Sequence, residues 1–253
     1  MKIVIIGTGN VAFVLGRKLK KSGFIITQVF GRNAGNAAAL ADELECSSCN
    51  LWEEISTDGD IYLAAITDNA LYELDQHLVL RNQLVLHTAG SVPMKALERV
   101  STNFGVLYPL QSLRKELDVL TEIPLLVDGN NSTAKELAWS MAAKLSSNIS
   151  TSNDEERLKL HVAAVFINNF TNHLYAVAEC FCRQESVDFS MLLPLAMETA
   201  KRIAFQSPAL LTTGPAFRND EVTINRHLDL LIAYPRIQKL YRQMTESIQE
   251  SNC

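Results

Sequence analysis

Apolar positions in the first half of the chain switch repeatedly between a strand-like and a helix-like spacing. Lys2–Ile6 is a short β-branched run and reads as a strand. Asn10–Lys21 then places Val11, Val14, Leu15 and Leu19 on one helical face, with Arg17, Lys18, Lys20 and Lys21 mostly elsewhere, and Gly23 terminates it. The same reading predicts strands at Phe24–Phe30, Asp60–Ile66, Gln83–His87, Phe104–Tyr108 and Pro124–Val127. It predicts helices at Asn36–Leu44, Asn69–Leu78, Pro93–Arg99 and Ser132–Leu145. Strands separated by helices imply an α/β, Rossmann-type doubly wound parallel sheet.

Past Ser146–Asn153, a polar hinge, the strand signal stops. Ser152-Asn153-Asp154-Glu155 has the S-x-x-E form of a capping box and opens a long helix running to about Gln184. Further helices are predicted at Asp188–Phe205, Glu221–Ile232 and Pro235–Gln249, with a proline-bearing loop at Ser207–Arg218. The expected organisation is a nucleotide-binding domain over residues 1–151 and an all-α C-terminal domain over residues 152–253. Leu160 to Ala178 carries no Asp, Glu, Lys or Arg, but contains His161, Asn168, Asn169, Asn172 and His173. So many polar groups are costly against lipid. The stretch reads as a helix buried in protein, on which a homodimer over residues 154–184 is expected.

Composition narrows the classes. With 253 residues, 47% apolar and 20% charged, the chain can pack a core, and wholesale disorder is excluded. A net charge of −5 leaves no bulk basic footprint for nucleic acid. The five cysteines include a Cys46-x-x-Cys49 pair with no partner cluster at zinc spacing. They read as reduced thiols of a cytoplasmic protein, with no metal site and no membrane span.

The first strand runs into Gly7-Thr8-Gly9-Asn10-Val11-Ala12, a G-x-G-x-x-A that opens a helix. Gly7 permits the tight turn, Gly9 lets a pyrophosphate approach the backbone, and Ala12 allows close helix–strand packing. The helix start offers free N–H groups to phosphate. The second strand ends at Gly31-Arg32-Asn33, with no acid between Thr27 and Ala41 to accept from a ribose 2′-hydroxyl. Arg32 instead offers a guanidinium fork to a 2′-phosphate, and Asn33 a further donor, so NADP is favoured over NAD. The alternative is that Arg32 is a solvated loop charge.

These features resemble the pyrroline-5-carboxylate reductases, the ketopantoate reductases and the deazaflavin-dependent NADP reductases. The helical C-terminal domain is similar to that of the 6-phosphogluconate dehydrogenase superfamily. More narrowly, the chain resembles bacterial Rossmann-like NADP oxidoreductases with a C-terminal domain of unknown function. The segments that carry this are His87-Thr88-Ala89-Gly90-Ser91, Leu107-Tyr108-Pro109-Leu110-Gln111-Ser112, His161-Val162-Ala163-Ala164-Val165-Phe166 with Asn168-Asn169-Phe170, and Gly214 to Asp220. The resemblance implies the two-domain fold and NADP binding, and no particular substrate. Related segments often read H-x-S-G and R-G-D, where this chain has Thr88-Ala89-Gly90-Ser91 and Arg218-Asn219-Asp220.

Ligands of open α/β sheets sit beyond the carboxyl ends of the strands. The segments expected there are Thr8-Gly9-Asn10-Val11, Thr67-Asp68, Thr88-Ala89-Gly90-Ser91 and Gln111-Ser112. Thr67, Asp68, Thr88, Ala89 and Gly90 are assigned to the cofactor, and Ser91, Gln111 and Ser112 to a polar small-molecule substrate. Asp68 could instead cap the following helix. On the long helix, His161, Asn168 and Asn172 fall within about 40° of one another at about 100° per residue. They are expected to form a second wall of an interdomain cleft, or to meet backbone groups or another subunit. His161 is the acid/base candidate by residue type and His87 the second, with Asn168 a further catalytic candidate and Asn172 a candidate substrate contact. Arg218 is a candidate substrate anchor; otherwise it is a solvated charge beside a helix-capping Asp220. The reading is an NADP-dependent reductase of a small carbonyl or imine, or of a deazaflavin. The alternative is a non-catalytic NADP-binding sensor or scaffold.

Overall fold

The computed structural model describes residues 1–116 and 122–250. The chain forms two compact units, Met1–Asn169 and Phe170–Cys253. In the first, β1 (Lys2–Ile6), α1 (Asn10–Lys21), β2 (Ile25–Phe30), α2 (Ala34–Leu44) and β3 (Ser47–Cys49) are followed by β4 (Ile61–Ala64), α3 (Asp68–Tyr72), β5 (Leu84–His87) and β6 (Asn103–Pro109). Then come β7 (Leu125–Gly129), α4 (Ser132–Ala142), β8 (Ile149–Thr151) and α5 (Asp154–Ala164). The sheet has eight strands in the order β3-β2-β1-β4-β5-β6-β7-β8. The order reverses between β1 and β4, which opens the crevice where such sheets bind ligands.

β1 shows why its sequence lacks alternation. Ile3 and Ile5 belong to the apolar cluster on one face, with residues of α1 and α2, while Val4 and Ile6 belong to that on the other, with Tyr62, Leu71 and Val85. A strand covered on both faces needs apolar residues throughout. Each such side chain, fully buried, contributes about 1.5–3 kcal/mol. α1 ends where Gly23 takes a φ of +82°, a conformation that costs a glycine nothing.

The sheet departs from all-parallel at one place. β7 runs antiparallel to β6, and β8 then pairs parallel to β7. No helical crossover joins β6 to β7 among the described residues, and an antiparallel return needs none. Two strands, β3 and β8, lie outside the pattern reading. Each is a three-residue edge strand, Ser-Ser-Cys and Ile-Ser-Thr, largely open to solvent.

The helix predicted from Asp154 to about Gln184 is interrupted. α5 gives way to a π turn over Val165–Phe170 before α6 (Thr171–Gln184) begins. The capping box is real but one residue later than expected: Asn153 accepts from the Glu156 N–H and Glu156 reaches back to the Asn153 N–H. The strand pattern stops at 151, yet the unit boundary falls at Asn169/Phe170, because α5 is tied to the first unit. Buried Arg157 donates to the Val92 carbonyl at 2.6 Å, and Asp154 accepts from Met94 N–H at 2.9 Å.

The second unit contains α6, α7 (Leu193–Arg202), α8 (Pro208–Leu211), α9 (Glu221–Leu230) and α10 (Pro235–Gln249). α8 falls within the segment read as a loop, and its Pro208 suits a helix start. Phe181 meets Tyr234 edge-on at 5.5 Å, and Gln238 donates to the Leu228 carbonyl at 2.8 Å. Much of its apolar surface is open: Phe205 is 91% and Met191 75% exposed. Among the described residues no helix is long and apolar enough to cross a membrane.

Candidate functional site

A cavity of about 640 Å³ opens at the carboxyl ends of β1, β2, β4 and β5, and all of its lining belongs to the first unit. Gly7 forms its floor. Its φ is +121°, and a Cβ there would lie 2.1 Å from the Ala65 carbonyl oxygen. Both facts demand glycine and arise from the protein's own turn. Gly9 differs: it lines the cavity, yet a Cβ there would meet no protein atom within 4 Å. Protein packing therefore does not demand glycine at position 9. Close approach by a ligand would. Gly9 is also the N-cap of α1 and offers no side-chain cap, which leaves the first N–H groups available to an anion. Thr8, Asn10 and Val11 complete this wall. Asn10 Oδ1 is engaged by the Lys115 N–H at 3.3 Å.

At one end lie Arg32, Asn33, Asn36, Trp52, Glu73 and His77. Arg32 is exposed and makes no ion pair or hydrogen bond among the described residues. Asn33 caps α2, its Oδ1 accepting from the Asn36 N–H at 2.9 Å. The Trp52 and His77 rings stack at 4.7 Å and 5°. Trp52, His77 and Glu73 are absent from the sequence-derived site, since nothing in their spacing marks their meeting.

Thr67, Asp68, Thr88, Ala89 and Gly90 line the other part as expected, with His161 and Tyr108. Asp68 is not the cap of α3; Thr67 holds that position, and the Asp68 carboxylate accepts from the Ser91 hydroxyl instead. Tyr108 Oη lies 2.9 Å from His161 Nδ1, with the rings edge-on at 5.9 Å. Tyr108 belongs to a segment that carries the resemblance and is not among the site residues expected from the sequence. Its place at the end of a strand is the signal that could have found it. Burial pushes its phenol pKa up, and the Arg157 charge partly opposes this.

Several assigned residues do not reach the cavity. His87 is wholly buried and does not line the cavity, and its Nδ1 accepts from the Ala89 N–H at 3.2 Å. Its proton therefore sits on Nε2, which has no partner among the described residues. Burial, with the Arg157 charge, pushes its pKa down to about 3. A neutral imidazole sealed from the cavity cannot exchange a proton with a substrate, which argues against the acid/base assignment. Ser91, Gln111 and Ser112 are exposed and do not line the cavity. Asn168 is exposed in the π turn. A π turn holds more residues per turn than an α-helix, so spacing at about 100° per residue does not carry through it. Asn172 and Arg218 are exposed residues of the second unit. Asp220 caps α9, accepting from the Thr223 N–H and hydroxyl at 3.1 and 2.8 Å.

Two family profiles match the chain. One is described as NADP oxidoreductase coenzyme F420-dependent and matches residues 2–90; the other is a domain of unknown function, DUF2520, over residues 123–248. No curated protein matches it in sequence. The crystal structure of a candidate NADP oxidoreductase from Bacteroides fragilis is similar at 36% identity and a TM-score of 0.94, covering 99% of this chain and 98% of that one. An imine reductase from Myxococcus stipitatus in complex with NADP+ is 14% identical, with a TM-score of 0.64 and coverage of 98% and 92%. A 1-pyrroline-5-carboxylate reductase from Streptococcus pyogenes is 12% identical, with a TM-score of 0.61 and coverage of 99% of both chains. These last two are likenesses of fold.

Proposed function

The chain belongs to the NADP oxidoreductases whose C-terminal half is the DUF2520 domain, and from that premise we propose that it is an NADP-dependent reductase of a small carbonyl or imine. One observation carries the reading: Gly9 borders the cavity with no protein atom near its would-be Cβ, at the uncapped start of α1. That cradle suits a pyrophosphate. Arg32, unpaired at the cavity's edge, supplies the fork for a 2′-phosphate, and Asn33 lies beside it. Thr88, Ala89 and Gly90, which line the cavity with Thr67 and Asp68, would then hold the nicotinamide.

Bound NADPH supplies a hydride to the substrate carbon. The protein's tasks are to orient the two reactants and to protonate the substrate's heteroatom. His161, on α5 at the cavity wall, is a source of that proton.

The test is calorimetric titration with NADPH and NADH, followed by NADPH oxidation with a panel of cyclic imines, keto acids and a deazaflavin. The reading expects tighter NADPH binding and turnover with at least one acceptor. Equal affinity for NADH would overturn the NADP assignment. Tight NADPH binding without any turnover would favour a sensor or scaffold.

We further propose a homodimer. On the first unit, Leu158, Val162, Phe166 and Ile167 are exposed, Ile167 by 70%. Exposed apolar side chains clustered in sequence like these mark interaction sites. A second copy is the expected cover, with two-fold symmetry. Light scattering at micromolar concentration should give twice the chain mass; a stable monomer contradicts it.

A further inference from the structure

We propose that Tyr108 is the residue that hands the proton to the substrate, and that His161 resupplies it. The proposal rests on the reductase reading above and names the group that reading requires. Tyr108 comes from β6 and His161 from α5, and their polar atoms meet at 2.9 Å on the cavity wall. Gly90 is their seat. A Cβ at Gly90 would lie 2.7 Å from His161 Nδ1 and 2.9 Å from Tyr108 Cζ, so both rings rest directly on the backbone that borders the cavity.

The pair divides the work by its chemistry. In the productive tautomer, His161 donates Nδ1–H to Tyr108 Oη, which leaves the phenol O–H directed to the substrate. As the substrate carbon accepts hydride, the C=N or C=O π pair moves to the heteroatom and takes the phenol proton. The Tyr108 O–H bond breaks and a new N–H or O–H bond forms. The Nδ1 proton of His161 then neutralises the tyrosinate, while a solvent proton is taken up at Nε2. Protons and electrons balance with no further co-reactant.

The surroundings suit a phenol in this role. Burial keeps Tyr108 protonated through the neutral range. The charged and titratable groups that act on it are His161 and Arg157, both from α5. His87 stays neutral. Arg157 lies one helical turn before His161 and is 1% exposed. Its bond to the Val92 carbonyl, with that from the Met94 N–H to Asp154, pins α5 to the segment just beyond Gly90, which fixes His161 over its seat.

The experiment is a pH titration of tyrosinate absorbance in the intact protein, saturated in turn with NADP+ and NADPH, each against Tyr108→Phe. NADP+ carries a positive nicotinamide and NADPH a neutral one, so a phenol beside the ring ionises at lower pH with NADP+. The expected result is one tyrosine step that moves to lower pH in the NADP+ complex and is missing from Tyr108→Phe. In His161→Leu that step moves to higher pH, since the tyrosinate loses its donor. Binding of both nucleotides with identical titrations, or a shift that survives in Tyr108→Phe, overturns the proposal alone. Binding of neither overturns the reductase reading and the proposal with it.

Discussion

Tyr108 and His161 stand 53 residues apart in sequence and 2.9 Å apart in the cavity wall. Their meeting depends on a third residue with no side chain. Gly90 has an ordinary backbone φ, so glycine there serves space alone. Gly90→Ala should force the two rings off their seat. The expected outcome is destabilisation of about 1–3 kcal/mol from overpacking, measured by urea unfolding, and loss of turnover larger than the loss of NADPH affinity. Unchanged turnover would show that the pair is not used.

Arg32→Asp should weaken NADPH binding by about 1.5–3 kcal/mol, through loss of a charge-assisted bond and repulsion of the 2′-phosphate. NADH affinity should change far less. Titration of both nucleotides checks this, and equal losses would make Arg32 a general contact.

His87 makes a prediction about pH. Its folded pKa lies near 3, against an ordinary 6.5. Between those values the unfolded chain binds the proton and the folded chain does not, so stability falls as pH drops through that window. The slope is at most about 1.4 kcal/mol per pH unit. Above pH 6.5 the group contributes no slope. Unfolding measured from pH 7 to 4 should lose this component in His87→Gln; an unaltered profile would contradict the burial.

The loop before α9 separates two charges. Bonds from Thr223, first the backbone N–H and then the hydroxyl, hold the Asp220 carboxyl below the usual range. Its contribution is present above the ordinary carboxylate range and is lost as pH falls through the lowered value. Asp220→Ala should therefore lower the melting temperature at pH 7, and Arg218→Ala should leave it unchanged. The reverse order would assign the structural role to Arg218.

Legibility in the sequence follows from how local the cause is. Gly7 and Gly9 are readable because a turn and a helix start impose residue type over a few positions. β1 is readable because two-sided burial leaves a run of Ile and Val. β3 and β8 are not, since three residues on a sheet edge carry no period. His87 is conspicuous by type, but type does not report burial; the strand's apolar neighbours were the better clue. Tyr108 and Trp52 reach the cavity through the fold, far from any motif. Asn168 does not join His161, because one helical period does not hold across a stretch that contains a π turn.

The most direct measurement is a crystal structure of the protein with NADPH. The account predicts the pyrophosphate at the N–H groups of Gly9, Asn10 and Val11. It also predicts the 2′-phosphate on Arg32, and the nicotinamide beside Gly90 and the Tyr108–His161 pair. A nucleotide bound elsewhere, or a nicotinamide turned away from Tyr108, would contradict it.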